Sequence, residues 1–256
     1  MFDVTMATTG AYDADVEDIS NVNRPGKVID EYKYFIDGGR MTFIEQLENV
    51  VSPLEACCIA VEIFQDAYNL ANKALEDYHS RMAIVIDNPV RRKTKSISRR
   101  SSIFASTKRK KDVAVTNTVR VPEMNYFIER RAHVENIEDI LEEVMNEFKK
   151  KQKKIYKKIN KKKHEDVRSC LSEYIRQCCR LSWEMVVLTP PLEIDLKSGI
   201  GKKHNPLRHE VYIDYTRGPK KNGHDGVIEK YLWPIMSQSQ SDKKLVCCVK
   251  GIVLLK

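Results

Sequence analysis

The chain has 256 residues, 42% hydrophobic and 31% charged, a balance that supports a buried core and excludes a wholly disordered or membrane-embedded chain. Its seven cysteines (Cys57, Cys58, Cys170, Cys178, Cys179, Cys247 and Cys248) are odd in number, largely in adjacent pairs, and never form a CxxC. They are expected to be reduced, mostly buried small hydrophobes, which speaks against a disulfide framework or a zinc site.

From the start, Asp3, Asp13, Asp15, Glu17 and Asp18 occur with no Lys or Arg before Arg24. Residues 1–22 therefore read as an acidic disordered tail, opposite in charge to a secretory or mitochondrial presequence, and a cytoplasmic location is expected. Glu31 to Leu47 places Tyr32, Phe35, Ile36, Phe43, Ile44 and Leu47 at helical spacing, and Gly38-Gly39 is expected to split the stretch into two short helices. Ser52-Pro53 then supplies a cap and a first-turn proline for a helix running to about Ile86, ahead of Asn88-Pro89.

Residues 88–118 are basic, Ser/Thr-rich and poor in large apolar side chains, and read as a flexible linker. Pro122 begins a further helical pattern: Val134, Ile137, Leu141, Val144 and Phe148 alternate steps of three and four. The pattern continues through Ile155, Ile159, Val167, Leu171, Tyr174, Ile175 and Cys178 to Pro190-Pro191, with a bend or break expected near Asn160.

Beyond Pro191 the period changes to that of strands at Leu192 to Leu196, Glu210 to Tyr215 and Leu245 to Leu255, the last bent at Gly251. Glu229 to Met236 reads as either a short helix or an edge segment. Trp183 and Trp233 are expected to anchor the core where this end meets the long helix. The predicted fold is thus α+β and predominantly helical: antiparallel helices with a long central helix and a small C-terminal β-sheet. Leu245 to Leu255 is the longest nearly apolar stretch, interrupted by Lys250 and far short of the roughly 20 residues of a membrane span.

Charge carries the functional signal. The net charge is +8, yet ten basic residues and no acid fall within Arg91 to Lys111 (Arg91, Arg92, Lys93, Lys95, Arg99, Arg100, Lys108, Arg109, Lys110, Lys111). A second acid-free window holds ten lysines: Lys149, Lys150, Lys151, Lys153, Lys154, Lys157, Lys158, Lys161, Lys162 and Lys163. The remainder keeps 24 of the 44 basic residues against all 36 acidic ones, a net of −12. Two cationic tracts on an acidic body point to a polyanionic partner. Thr94 and Ser102 follow paired arginines, a pattern basophilic kinases accept, and phosphate there would reduce the local positive field.

No catalytic motif is present: GxSxG, P-loop, HExxH and GxGxxG are all missing, and Gly199-Ile200-Gly201-Lys202 lacks the spacing of a phosphate loop. A non-enzymatic chain with no cofactor and no metal is expected. A nucleic-acid binder or a generic protein adaptor stays open as an alternative. The nucleic-acid reading is the weaker, because only Phe104 and Tyr156 interleave with the basic runs and no zinc, RRM or KH signature accompanies them.

Ordered segments across the chain resemble a known family. Arg24-Pro25-Gly26-Lys27-Val28, Phe35-Ile36-Asp37 and Thr42-Phe43-Ile44-Glu45-Gln46-Leu47 lead. Cys179 to Met185, Pro190-Pro191-Leu192, His209 to Tyr212, Leu232-Trp233-Pro234 and Val249 to Val253 follow. In this order they are similar to the C-terminal domain of the mitochondria-eating protein family, over roughly 23–256 and interrupted at 88–118. Gly38 and Arg40 stand where that family usually has Asn and Trp, which predicts the loss of a first-helix anchor. The resemblance implies mitochondrial quality control, a cytoplasmic protein peripherally associated with the mitochondrial outer membrane, and binding of the anionic lipid cardiolipin. The family's preceding coiled coil is not carried over, so homo-oligomer formation and protein partners stay open. Resemblance and charge converge on one expectation: both basic tracts dock on anionic lipid, weakened by phosphate at Thr94 or Ser102.

Overall fold

A computed structural model describes residues 24–87, 137–213, 226–239 and 245–256. The acidic tail, the basic linker with its Arg91 to Lys111 tract and Thr94 and Ser102, and the helix start at Pro122 lie outside the described residues.

Proline at the first turn opens α1 (Pro25–Asp37), where the missing N–H has no intrahelical role. Gly38 departs from helical geometry, with φ −109° and ψ −89°, and separates α1 from α2 (Gly39–Leu47) at the Gly-Gly pair. Ser52 Oγ accepts the Glu55 N–H at 3.4 Å, capping α3 (Pro53–Asp87) as the Ser-Pro signal predicts.

The expected long helix arrives in pieces. α4 (Ile137–Lys151) stops at Gln152, whose φ of −106° and ψ of 37° break the path before α5 (Lys153–Ile159). A 3₁₀ turn (Lys162–His164) then precedes α6 (Glu165–Val187). A break near Asn160 was legible; the one at Gln152 was not. The apolar seam runs on through all three helices, with Val144, Phe148, Ile155, Ile159, Val167 and Leu171 buried, but at the start of α4 it is Ile140 that is buried, while the expected Ile137 and Leu141 are half-buried.

Among the described residues six strands follow: β1 (Leu192–Asp195), β2 (His209–Val211), β3 (Ile228–Trp233), β4 (Ile235–Ser239), β5 (Leu245–Val249) and β6 (Gly251–Leu255). The segment Glu229 to Met236 is extended, so its short-helix reading is corrected. The expected helix-dominated α+β fold with a small C-terminal β-structure is present, and that β-structure is divided: the order β1-β4-β5 forms one antiparallel sheet, while β2-β6-β3 forms another, with β2 parallel to β6. Two nearly continuous extended runs change sheets, one at Pro234 and one at Lys250. Gly251 permits the second change, since a Cβ there would lie 3.0 Å from the Ile235 nitrogen and 3.1 Å from the Trp233 carbonyl oxygen.

The core lies between α3, α6 and the first helices. Phe43 stacks on Tyr174 with centroids 4.2 Å apart, and Phe64 meets Trp233 at 4.9 Å. Tyr174 donates its hydroxyl to the Ala60 carbonyl at 3.0 Å, and Tyr68 donates to the Leu192 carbonyl at 3.0 Å, tying α6 and β1 to α3. Both tryptophans anchor the core as expected. Arg40 does not mark a lost anchor: it is only 3% exposed, with its guanidinium carbon 4.9 Å from the Trp233 ring centroid. Its charge suits the face of an indole, which fills the place that an apolar side chain would otherwise take.

Candidate functional site

Two buried isoleucines orient the lysine tract. On α5, Ile155 and Ile159 point into the core and Tyr156 is half-buried, which leaves Lys153, Lys154, Lys157 and Lys158 on the opposite, exposed face. At 100° per residue these four lysines span an arc of about 140°, in two columns of residues four apart. Lys161 and Lys163 extend the exposed cationic surface into the 3₁₀ turn. Among the described residues, none of these six lysines is paired with a carboxylate.

The start of the tract is used differently. Lys151 Nζ lies 2.6 Å from Asp66 Oδ1, and Gln152 donates to Glu62 at 2.9 Å, so the end of α4 is fastened to α3. Lys150 meets Glu147 at 3.4 Å, and Lys149 places its ammonium 5.7 Å from the centroid of the Tyr156 ring. The side chain of Lys162 lies outside the described residues. Sequence reasoning missed Glu62 and Asp66 as the fastening pair, although their i,i+4 spacing on one face of α3 was the available signal.

The exposed lysines repel one another. Lys153 and Lys157, and Lys154 and Lys158, are like charges at i,i+4, each pair costing a helix a few tenths of a kcal/mol. Burial of Ile155 and Ile159 offsets this by several times as much, about 1.5–3 kcal/mol per fully buried side chain. The result is a ledge of positive charge that no carboxylate among the described residues pairs with. An incoming polyanion lowers its self-repulsion as well as meeting it directly.

A concavity of about 1040 Å³ opens between α1, α2 and α6. Its lining mixes Arg24, Lys27, Arg176 and Arg180 with Asp30, Glu31 and Glu173, so it presents no single sign of charge. Beside it, Arg180 lies 3.6 Å from Glu31 and 4.0 Å from Glu184, and Lys27 lies 3.5 Å from Glu31. Burial, followed by the neighbouring Glu31 carboxylate, pushes the Glu184 carboxyl up from 4.5 to about 7. The folded state therefore holds a proton that the unfolded state has lost, and stability falls as pH rises from about 4.5 to about 7. Glu184→Gln is expected to stabilise the protein at pH 8 by about 1–3 kcal/mol, with no gain below the ordinary carboxylate range. Urea unfolding across pH measures this, and an equal gain at all pH values contradicts it.

Near β2 and β3 a polar cluster is largely satisfied internally, the buried Arg208 Nε excepted. Asp195 accepts the backbone N–H groups of Lys197 and Ser198 at 2.9 Å each, and the Ser198 hydroxyl as well. Burial would raise the Asp195 carboxyl, but Ser198, these N–H groups and Arg208 hold it below its ordinary value. His209 Nε2 meets the Tyr231 hydroxyl at 3.0 Å. The Asp195 contacts close the turn after β1 and the His209 contact joins β2 to β3, while the Gly201 N–H donates to the Ile228 carbonyl and the Ile228 N–H to the Lys202 carbonyl, each at 2.9 Å, holding the intervening segment on β3. Among the described residues no group of three or more His, Cys, Asp or Glu is placed to hold a metal ion. Of the cysteines, Cys57, Cys178 and Cys179 are buried and the other four half-buried, all as free thiols.

Fold and surface together define a helix-dominated α+β domain with a one-sided cationic ledge. Residues 24–255 match the family described as Mitochondria-eating protein, nearly the whole length, and the chain belongs to that family. Membership ties it to mitochondrial quality control and to association with mitochondria. No curated protein and no solved structure matches it. Among the described residues no helix is long and apolar enough to cross a membrane.

Proposed function

We propose that this chain is a non-enzymatic module that docks peripherally on anionic mitochondrial lipid, cardiolipin above all, through its lysine ledge. The observation carrying this reading is the exposed set Lys153, Lys154, Lys157, Lys158, Lys161 and Lys163, without a carboxylate partner among the described residues, on and just after a helix anchored in the core by Ile155 and Ile159. Each Lys or Arg near an anionic surface contributes up to about 1 kcal/mol, so six supply enough attraction without any side chain entering the hydrocarbon. Lys149, Lys150, Lys151 and Lys162 complete the tract, Lys150 and Lys151 with their charge already met by Glu147 and Asp66.

In the same proposal the tract Arg91, Arg92, Lys93, Lys95, Arg99, Arg100, Lys108, Arg109, Lys110 and Lys111 acts as a second contact within a basic linker over 88–118. It interrupts the domain formed by 23–256, and residues 1–22 are an acidic tail. Phosphate at Thr94 or Ser102 adds nearly two negative charges and weakens docking. Flotation with neutral and with cardiolipin-containing vesicles tests the reading. Selective, salt-sensitive flotation with the cardiolipin vesicles is expected. Equal partition to both, or a stronger retention by RNA in a gel shift at the same salt, overturns it.

A further inference from the structure

We propose that Cys58 and Lys230 form an oxidative cross-linking site that can join α3 covalently to β3. Lys230 Nζ lies 3.1 Å from Cys58 Sγ, although the two residues are 172 positions apart. Both side chains are half-buried, so a small oxidant has access while the surrounding core keeps the pair in register. This inference is independent of the lipid-docking reading, because neither residue belongs to the lysine ledge.

Five of the other thiols are less suited to oxidation. Burial pushes up the thiols of Cys57, Cys170, Cys178 and Cys247, and that of Cys179 to about 12, which lowers their share of reactive thiolate. Nor is Cys57 a natural partner for Cys58. The two are successive residues inside α3, with side chains about 100° apart on the helix, and a disulfide between them would require the helix to open. The nucleophile standing against the Cys58 sulfur is therefore an amine.

The chemistry needs one equivalent of a peroxide. The Cys58 sulfur attacks one peroxide oxygen; the O–O bond breaks, an S–O bond forms, and water leaves. Sulfur has lost two electrons and the peroxide has gained them. The neutral form of the Lys230 amine then attacks the sulfenic sulfur: an S–N bond forms, the S–O bond breaks, and the hydroxyl leaves with the amine proton as a second water. Thiol, amine and peroxide thus give a sulfenamide and two waters. Two equivalents of an external thiol return Cys58 and Lys230 to their starting forms, yielding a disulfide of the reductant.

The test uses the whole chain, treated at pH 8 with one equivalent of hydrogen peroxide, digested, and mapped by mass spectrometry. The expected product is a joined pair of peptides containing Cys58 and Lys230, about 2 Da lighter than their sum and separated by dithiothreitol. The oxidised protein should also melt several degrees higher than the reduced one, since the link closes a long loop. Cys58→Ser should abolish the joined peptides. Lys230→Arg keeps the charge but removes the nucleophile, so Cys58 in that variant should instead be trapped by dimedone as a sulfenic acid. Recovery of wild-type Cys58 as a sulfinic acid, a sulfonic acid or a disulfide, with Lys230 unmodified, overturns the proposal.

Discussion

Replacing Lys153, Lys154, Lys157 and Lys158 together by glutamine is expected to weaken binding to cardiolipin-containing vesicles by about 10²–10³-fold at low salt. Four charges at up to about 1 kcal/mol each give at most about 4 kcal/mol, and 1.4 kcal/mol corresponds to tenfold in affinity. Screening shortens the reach of each charge to about 10 Å at 0.1 M salt, so the loss should shrink as salt rises. Folding should be unaffected or slightly improved, because the four side chains are exposed and their removal ends two like-charge pairs along α5. Lys151→Gln is the informative contrast. It breaks the contact with Asp66 and disturbs the fastening of α4 to α3, yet leaves the ledge charged. A quadruple variant that binds as well as the parent, with Lys151→Gln binding worse, would place the relevant charge elsewhere.

The division of labour within the lysine tract shows what a sequence discloses and what it does not. That the tract is helical, and that Ile155 and Ile159 face inward, followed from spacing alone. Which lysines are left free did not, because the partners of Lys151 and Gln152 are Asp66 and Glu62, some 85 and 90 positions away. The Gly38-Gly39 split and the Ser52-Pro53 helix start were equally legible, since both depend on local backbone preferences. Two sheets in place of one were not. The run ending in β4 read as a short helix or an edge segment and the run ending in β6 as one run bent at Gly251, whereas each changes sheet partway, where Gly251 lies close to the backbone on either side of Pro234. Arg40 is the sharpest departure. A charged residue in a short helix is ordinarily placed at the surface, and nothing local records that an indole from a strand almost 200 residues later will lie across its guanidinium.

That pairing leads to the second large effect. Trp233→Ala is expected to cost about 5 kcal/mol or more, enough to bring a domain of ordinary stability close to unfolding. Trp233 is fully buried, with Phe64 at 4.9 Å, Phe35 at 6.0 Å and Tyr32 at 6.1 Å between ring centroids, so its removal empties the centre of the aromatic cluster. About 3–5 kcal/mol follows from the lost packing, and up to about 2 more from stranding the guanidinium of Arg40 without its ring. Arg40 is poorly compensated already: among the described residues no carboxylate pairs with it, its Nε has no hydrogen-bond partner, and its Nη1 reaches only the Met41 sulfur at 3.5 Å. Arg40→Met should therefore be neutral or stabilising, since an apolar side chain of similar length fills the volume without a desolvated charge. In the Arg40→Met background, the same Trp233 substitution should cost about 1–2 kcal/mol less than in the parent. Trp233→Phe, which keeps a ring over Arg40, supplies a variant that still folds if Trp233→Ala does not. Urea unfolding of the four members of that cycle decides the matter: a coupling near zero would mean that Arg40 is held by something other than the indole.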